Sequence, residues 1–299
     1  MSLYRARTTI EQWRIFQAVV HCNGYAQAAK ELNKSQSSLN HAVAKLQAQL
    51  GVQLLEVKGR KAQLTAAGEV MLRRSQFLTQ QIEDLEQLAH SLERGWEPTL
   101  TIAVEHFHPK DKIYQALKLF HPQSRGTRVT IIDTVISATA EAITDASADL
   151  VITPELPLGV LGTCLCHTRL VLVAHRQHPL ARQSNISYDD LTQHLQLVVR
   201  DNGKHPDNRH GWLKAEQRWT LSNFNEAIEL LLQGMGFAWL PEHQVKEHLS
   251  SGILINLKVQ RGATRQFTSY LVAPKPQHQG PAGALLEQLI VDQYTSSAS

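Results

Sequence analysis

Cysteine is scarce, with three residues in 299: Cys22, Cys164 and Cys166. So few thiols exclude a disulfide scaffold and fit a reducing compartment. Long apolar runs are missing too. None approaches the roughly 18–20 residues that a bilayer-spanning helix needs, so no integral membrane protein is expected. Met1 to Ile10 has no apolar segment of secretory type, and a cytoplasmic protein is the expectation. Catalytic signatures are absent as well: no G-x-S-x-G, no phosphate-cradling G-x-x-x-x-G-K, no H-E-x-x-H and no G-x-G-x-x-G after a strand. Gly234-Met235-Gly236 reads as a helix-stop turn. His106-x-His108 and His205…His210 lack a tight cysteine or carboxylate companion, which argues against a metal site. No catalytic residue, cofactor or metal ligand is expected. Cys164-x-Cys166 could be a redox switch. Leu161 and Leu165 beside it look like core, which favours a buried, inert pair.

Apolar residues make up 42% of the chain and charged residues 19%, enough for ordinary cores in two or three domains. The net charge of +3 hides an uneven distribution: residues 1–65 carry nine Lys/Arg against three acids. A small basic head on a near-neutral body suits a polyanion, or is a solvated basic face.

Ile10, Trp13, Phe16 and Val20 mark a first helix that stops at Asn23-Gly24. A second, alanine-rich helix covers Ala26 to Leu32. Ser35 can cap a third, in which Leu39, Val43, Leu46 and Leu50 recur at helical spacing until Gly51. Two strand-like pieces, Val52–Val57 and Ala62–Thr65, flank Lys58-Gly59-Arg60-Lys61, a hairpin with a basic tip. From Thr65 to about Arg94 a long helix is predicted. Met71, Leu78, Leu85 and Leu92 recur every seven residues, with Ser75, Ile82 and Ala89 at the other seam position. Such a seam pairs with a second helix in a dimer, or packs on its own domain. Gly95 to Pro98 reads as a linker. Alternating strands and helices follow, including a helix at Leu213–Arg218, a strand at Arg169–Ala174 and a helix at Tyr188–His194. This pattern predicts α/β layers with mainly parallel strands.

Within residues 25–46, small Ala28 and Ala29 let two helices lie close, as in a helix-turn-helix. Gln36, Ser37, Ser38, Asn40 and His41 are then left at the front of the third helix, where a recognition helix places its base-reading groups. Ser35, Lys45, Lys58, Arg60 and Lys61 complete the candidate DNA-binding set.

Here the chain resembles the LysR-type transcriptional regulators. Phe16, Ala28-Ala29, Leu32, Ser35-Gln36-Ser37, Leu46, Leu50-Gly51, Leu54, Leu64-Thr65 and Ala67-Gly68 carry the resemblance. So do Leu172-Val173 with His178-Pro179-Leu180, and Ala227 to Pro241 with Gly234, Gly236 and Leu240. The family usually has Glu at Gln47, often Arg at His41, and Phe-x-Arg at Leu55-Glu56-Val57. The resemblance implies a winged helix-turn-helix over residues 1–65, a dimerising linker helix over 66–94, and an effector domain over 95–299 that is like a periplasmic binding protein. The lobes would be about 98–163 with 269–299, and 164–268. It implies double-stranded DNA, a small-molecule effector, homodimers or homotetramers and RNA polymerase as partners. Met71, Leu78, Ile82, Leu85, Ala89 and Leu92 would form the dimer seam.

In such a domain, strand ends facing the cleft carry ligand contacts. Glu105, His106, Thr134, Thr153, Arg200, Asn202, Ser222 and Asn223 are the candidates. Hydroxyls, a guanidinium and free helix N–H groups are mostly donors, so a small polar cavity for a carboxylate-bearing or otherwise acceptor-rich effector is expected, or for a zwitterion if Asp201 leaves the site neutral. The competing function is a cytoplasmic small-molecule-binding or enzymatic α/β protein with an unrelated basic head.

Overall fold

The computed structural model describes residues 5–58, 61–206, 213–259 and 262–296. The chain divides into two compact units, Met1–Glu93 and Arg94–Ser299.

The first unit is helical with one hairpin. Helix α1 spans Ile10–His21. Thr9 and Gln12 form a capping box at its start, satisfying two backbone donors that the first turn leaves over. Helices α2 (Tyr25–Glu31) and α3 (Gln36–Leu50) are joined through Asn33, which takes the left-handed conformation at φ 52°. Ile15, Phe16, Val19, Ala28, Leu39, Val43 and Leu46 form one buried core. Strands β1 (Leu55–Lys58) and β2 (Lys61–Leu64) pair antiparallel, Leu55 opposite Leu64. The first strand starts at Leu55 rather than Val52. The Gln47 side-chain amide oxygen accepts from the N–H groups of Leu54 (2.7 Å) and Leu55 (3.0 Å), which fixes where the chain becomes extended.

Helix α4 spans Ala66–Glu93. Thr65 caps it, its hydroxyl accepting from Gly68 N–H at 2.9 Å. A Cβ on Gly68 would lie 2.0 Å from the carbonyl oxygen of Leu54. Only glycine lets the start of α4 approach the hairpin this closely.

The second unit holds a nine-stranded sheet. Its strands are β3 (Thr99–Glu105), β4 (Arg128–Thr134), β5 (Leu150–Thr153), β6 (Thr163–His175), β7 (Gln196–Val199), β8 (Arg218–Leu221), β9 (Phe237–Pro241), β10 (Leu254–Asn256) and β11 (Thr264–Val272). The order is β4-β3-β5-β11-β6-β9-β7-β8, with β10 on β6. Parallel strands make up the two ends, β4-β3-β5 and β9-β7-β8. Strands β6 and β11 run antiparallel to each other and to their neighbours. The expectation of mainly parallel strands is therefore corrected: β6 carries the chain from one parallel group to the other and β11 brings it back. Two lobes result, and the expected boundaries at residues 163–164 and 268–269 fall inside these shared strands.

Among the described residues six helices cover the sheet: α5 (Asp111–Phe120), α6 (Ser137–Thr144), α7 (Tyr188–Thr192), α8 (Phe224–Leu232), α9 (Glu242–Ser250) and α10 (Pro281–Thr295). Leu100, Ile102, Ile113, Phe120, Leu286 and Ile290 centre one lobe's core, and Val173, Leu197, Leu231, Leu240 and Val245 the other's. The helix expected at Leu213–Arg218 is not formed. Residues 213–217 are irregular, and Arg218 already belongs to β8. Its guanidinium donates to the Leu213 carbonyl at 3.2 Å, holding a short polar stretch that has no apolar face to bury. The supposed linker is also anchored. Trp96 is buried, and the Glu97 carboxylate accepts from the N–H groups of Gly280, Ala282 and Gly283 at 2.7–3.1 Å. A carboxylate there neutralises the positive end of α10.

Candidate functional site

Ser35 caps α3, its hydroxyl accepting from Ser38 N–H at 3.2 Å. Ser35 and Ser37 hydroxyls lie 3.1 Å apart. Gln36, Ser37, Ser38, Asn40, His41 and Lys45 are exposed, while Leu39, Val43 and Leu46 are buried between them. One helix thus has an apolar back in the core and a polar front in solvent. Lys58 and Lys61 are backbone partners in the register of the hairpin. Arg60, expected at its tip, lies outside the described residues. Gln47, where the resemblance leads one to expect Glu, points its amide into the hairpin and is a structural group here.

The seam of α4 is divided. Leu78, Leu85, Ala89 and Leu92 are exposed and Ile82 is half-buried. Met71 packs with Leu72 against the core of its own unit, and Ser75 is buried, bonded to Gln17 at 3.1 Å. Met71 is therefore taken out of the expected dimer seam: it packs against the core of its own unit, and α1 reaches along α4 as far as Thr79 through Gln17.

Between the lobes of the second unit lies a cavity of about 730 Å³. Its walls are mainly apolar, with Phe107, Val135, Ile136, Leu156, Leu170, Leu197, Phe224, Trp239, Leu240 and Phe267. Polar groups are fewer: Glu105, Ser137, Glu141, Thr153, Glu155, Gln196, His205 and Arg265 among them. Arg265 lies over the Trp239 ring at 4.6 Å. Phe107 and Phe267 meet at 5.0 Å between centroids.

Of the eight residues expected at this site, Glu105 and Thr153 line the cavity. Thr153 is not an open donor, because its hydroxyl donates to the Glu155 carbonyl at 2.8 Å. Glu105 is 2% exposed. Its carboxylate accepts from Ile136 N–H (3.2 Å) and the Thr139 hydroxyl (2.7 Å). Burial pushes its pKa up to about 7, against these hydrogen bonds, which favour the ionised form.

The other six do not line the cavity. Thr134 is buried, its hydroxyl 2.8 Å from that of Thr139. His106 stacks on Phe224 across the lobes, centroids 5.0 Å apart, and sits 3.4 Å from the Asp133 carboxylate. Asn202 accepts from Val135 N–H at 2.8 Å and donates to the Asp133 carbonyl at 2.9 Å. Arg200 is exposed. Ser222 N–H donates to Glu226, and Asn223 accepts from Glu226 N–H, so the start of α8 is closed by its own side chains. The expected polar convergence on Arg200, Ser222 and Asn223 is corrected to a mostly apolar chamber. Trp239, Arg265 and Phe267 escaped sequence reasoning because they come from strand faces, not strand ends. The alternation Arg265-x-Phe267 on β11 was the available signal. The Cys164–Cys166 pair is not buried as expected. Cys164 is exposed and Cys166 half-buried at the start of β6.

Among the described residues no cluster of His, Cys, Asp or Glu is arranged to hold a metal ion, and no helix is long and apolar enough to cross a membrane.

Comparison with known proteins places both units. Residues 10–69 match the family described as bacterial regulatory helix-turn-helix protein, lysR family, and residues 93–295 match the LysR substrate binding domain. The chain is 29% identical over 245 residues to the HTH-type transcriptional regulator AceR of Acinetobacter baumannii, covering 80% of each chain. It is 25% identical over 297 residues to the RuBisCO operon transcriptional regulator of Allochromatium vinosum, covering 95% of this chain and 96% of that one. In fold it is similar to full-length LysG of Corynebacterium glutamicum with bound arginine, with a TM-score of 0.52, 18% identity and coverage of 97% and 99%.

Proposed function

The chain belongs to the LysR family of bacterial transcriptional regulators, and from that premise we propose which of its surfaces perform each part of the task. As a member it is a DNA-binding regulator controlled by a small-molecule effector. The front of α3 enters the major groove with Gln36, Ser37, Ser38, Asn40 and His41. Lys45 and the hairpin's Lys58, Arg60 and Lys61 take the phosphates. The single observation behind this reading is the division of α3, exposed polar groups in front and Leu39, Val43 and Leu46 buried behind.

The inter-lobe cavity is the effector site. Its volume lies within the roughly 300–1,000 Å³ common for small-molecule sites, and both lobes contribute walls. No catalytic step enters this reading. The exposed stripe Leu78, Leu85, Ala89 and Leu92 supports pairing of α4 with a second copy, in dimers or tetramers. RNA polymerase at the bound promoter and a cytoplasmic location complete the proposal.

Fluorescence anisotropy on promoter DNA tests the hairpin's part. Replacing Lys58, Arg60 and Lys61 by Gln should weaken binding on all sequences alike and flatten the salt dependence by about two to three phosphate contacts. An unchanged salt slope with lost sequence preference contradicts it.

A further inference from the structure

Taking the inter-lobe cavity as the effector site, we propose that it selects an aromatic, largely apolar molecule whose polar end is a protonated amine, and that it disfavours carboxylates. This inference rests on the effector-site reading and names the ligand's chemical class.

Two observations carry it. The first is the wall. Phe107, Phe224, Trp239 and Phe267 present rings from both lobes, so a planar apolar body finds stacking and edge contacts on several sides. The second is the state of the donors. An anionic ligand would look first to helix N-termini and hydroxyls. At the start of α6, Ile136 N–H is held by the Glu105 carboxylate, and the Ser137 hydroxyl donates to Asp201 at 2.6 Å. At the start of α8, Ser222 N–H is held by the Glu226 carboxylate at 2.9 Å. The Thr153 hydroxyl is used within its own turn. Each natural anion position already holds one of the protein's own acceptors.

Arg265 is the permanent cation of the lining and so the strongest remaining partner for a carboxylate, ahead of His205 and the Gln196 amide. Its guanidinium is engaged on the face of Trp239, and its pKa is lowered by burial. Glu105, which also lines the cavity, offers a buried carboxyl that two donors hold in place. An amine reaching Glu105 would stabilise the ionised acid that burial disfavours. A carboxylate at the same depth would meet repulsion instead.

The experiment uses the full chain and two probes with the same ring, tryptamine and indole-3-acetate, with affinity measured calorimetrically at about pH 8, where the amine and Glu105 are both charged. Tryptamine should bind at least about tenfold more tightly, roughly 1.4 kcal/mol. Glu105→Gln should bring the two within about threefold, with promoter binding retained. Arg265→Leu should leave the amine preference in place. Indole-3-acetate binding as tightly as tryptamine, in a manner lost in Trp239→Ala, overturns the inference and leaves the cavity as the effector site. Binding of either probe that ignores Trp239→Ala, or binding of neither, overturns both.

Discussion

The hydroxyl of Thr139 donates to the carboxylate of Glu105 at 2.7 Å, within the wall between α6 and β3. That bond holds an acid at the edge of an apolar chamber, where burial raises its pKa from 4.5 to about 7. The consequence for stability has a definite sign. Between about pH 4.5 and 7 the folded chain keeps a proton that the unfolded chain has lost, so this group's contribution falls as pH rises through about 7. The span corresponds to about 3 kcal/mol. Glu105→Gln should therefore match the parent at acid pH and become more stable than it above pH 7, in urea melts across that range. A pH-independent difference would contradict the assignment. His108 and His178, pushed down to about 4 by burial, act in the opposite sense and cost stability as pH falls below about 6.5. They are unchanged in this comparison.

Asn202 ties the segment after β7 to the opposite lobe through two backbone groups. Gly203 beside it has no room for a side chain, since a Cβ would lie 2.1 Å from the Ser137 hydroxyl. Asn202→Ala should cost about 1 kcal/mol in chemical denaturation. Gly203→Val should cost more and loosen the cavity, read as weaker effector binding. Equal stability of both variants and the parent would mean that the strap does not hold the lobes.

Gln47 organises the hairpin by accepting from Leu54 and Leu55 N–H groups. Gln47→Glu keeps an acceptor and should retain stability. Gln47→Ala leaves both donors without their partner and should lose about 1–3 kcal/mol. Thermal melting of the three proteins orders them.

Leu85 is 65% exposed on α4. A charge at this position should disrupt a helix pair while leaving the fold of the unit intact. Leu85→Asp is expected to sediment as a smaller species than the parent. An unchanged oligomer would place the contact on another face.

Much of the first unit was legible from side-chain spacing. Leu39, Val43 and Leu46 at intervals of four and three define a buried stripe whatever the partner helix, and Ser35 before it is a cap by chemistry. The cavity was less legible. Alternation along β6 and β11 marks two strands but not the direction of their neighbours, so the antiparallel pair bridging the lobes was missed. Strand-end reasoning assumes parallel strands throughout, and it therefore selected Arg200, Ser222 and Asn223 over Trp239, Arg265 and Phe267. Met71 was misplaced because a heptad reports one apolar face, not which surface covers it.

The most direct measurement is promoter binding by Ser37→Asp, with folding checked by thermal melting. Ser37 stands exposed at the front of α3. A carboxylate there would face the phosphates, so affinity should fall by about tenfold or more at constant salt while the melting temperature stays near that of the parent. A well-folded Ser37→Asp protein that binds the promoter with the parent's affinity would show that this helix does not enter the groove.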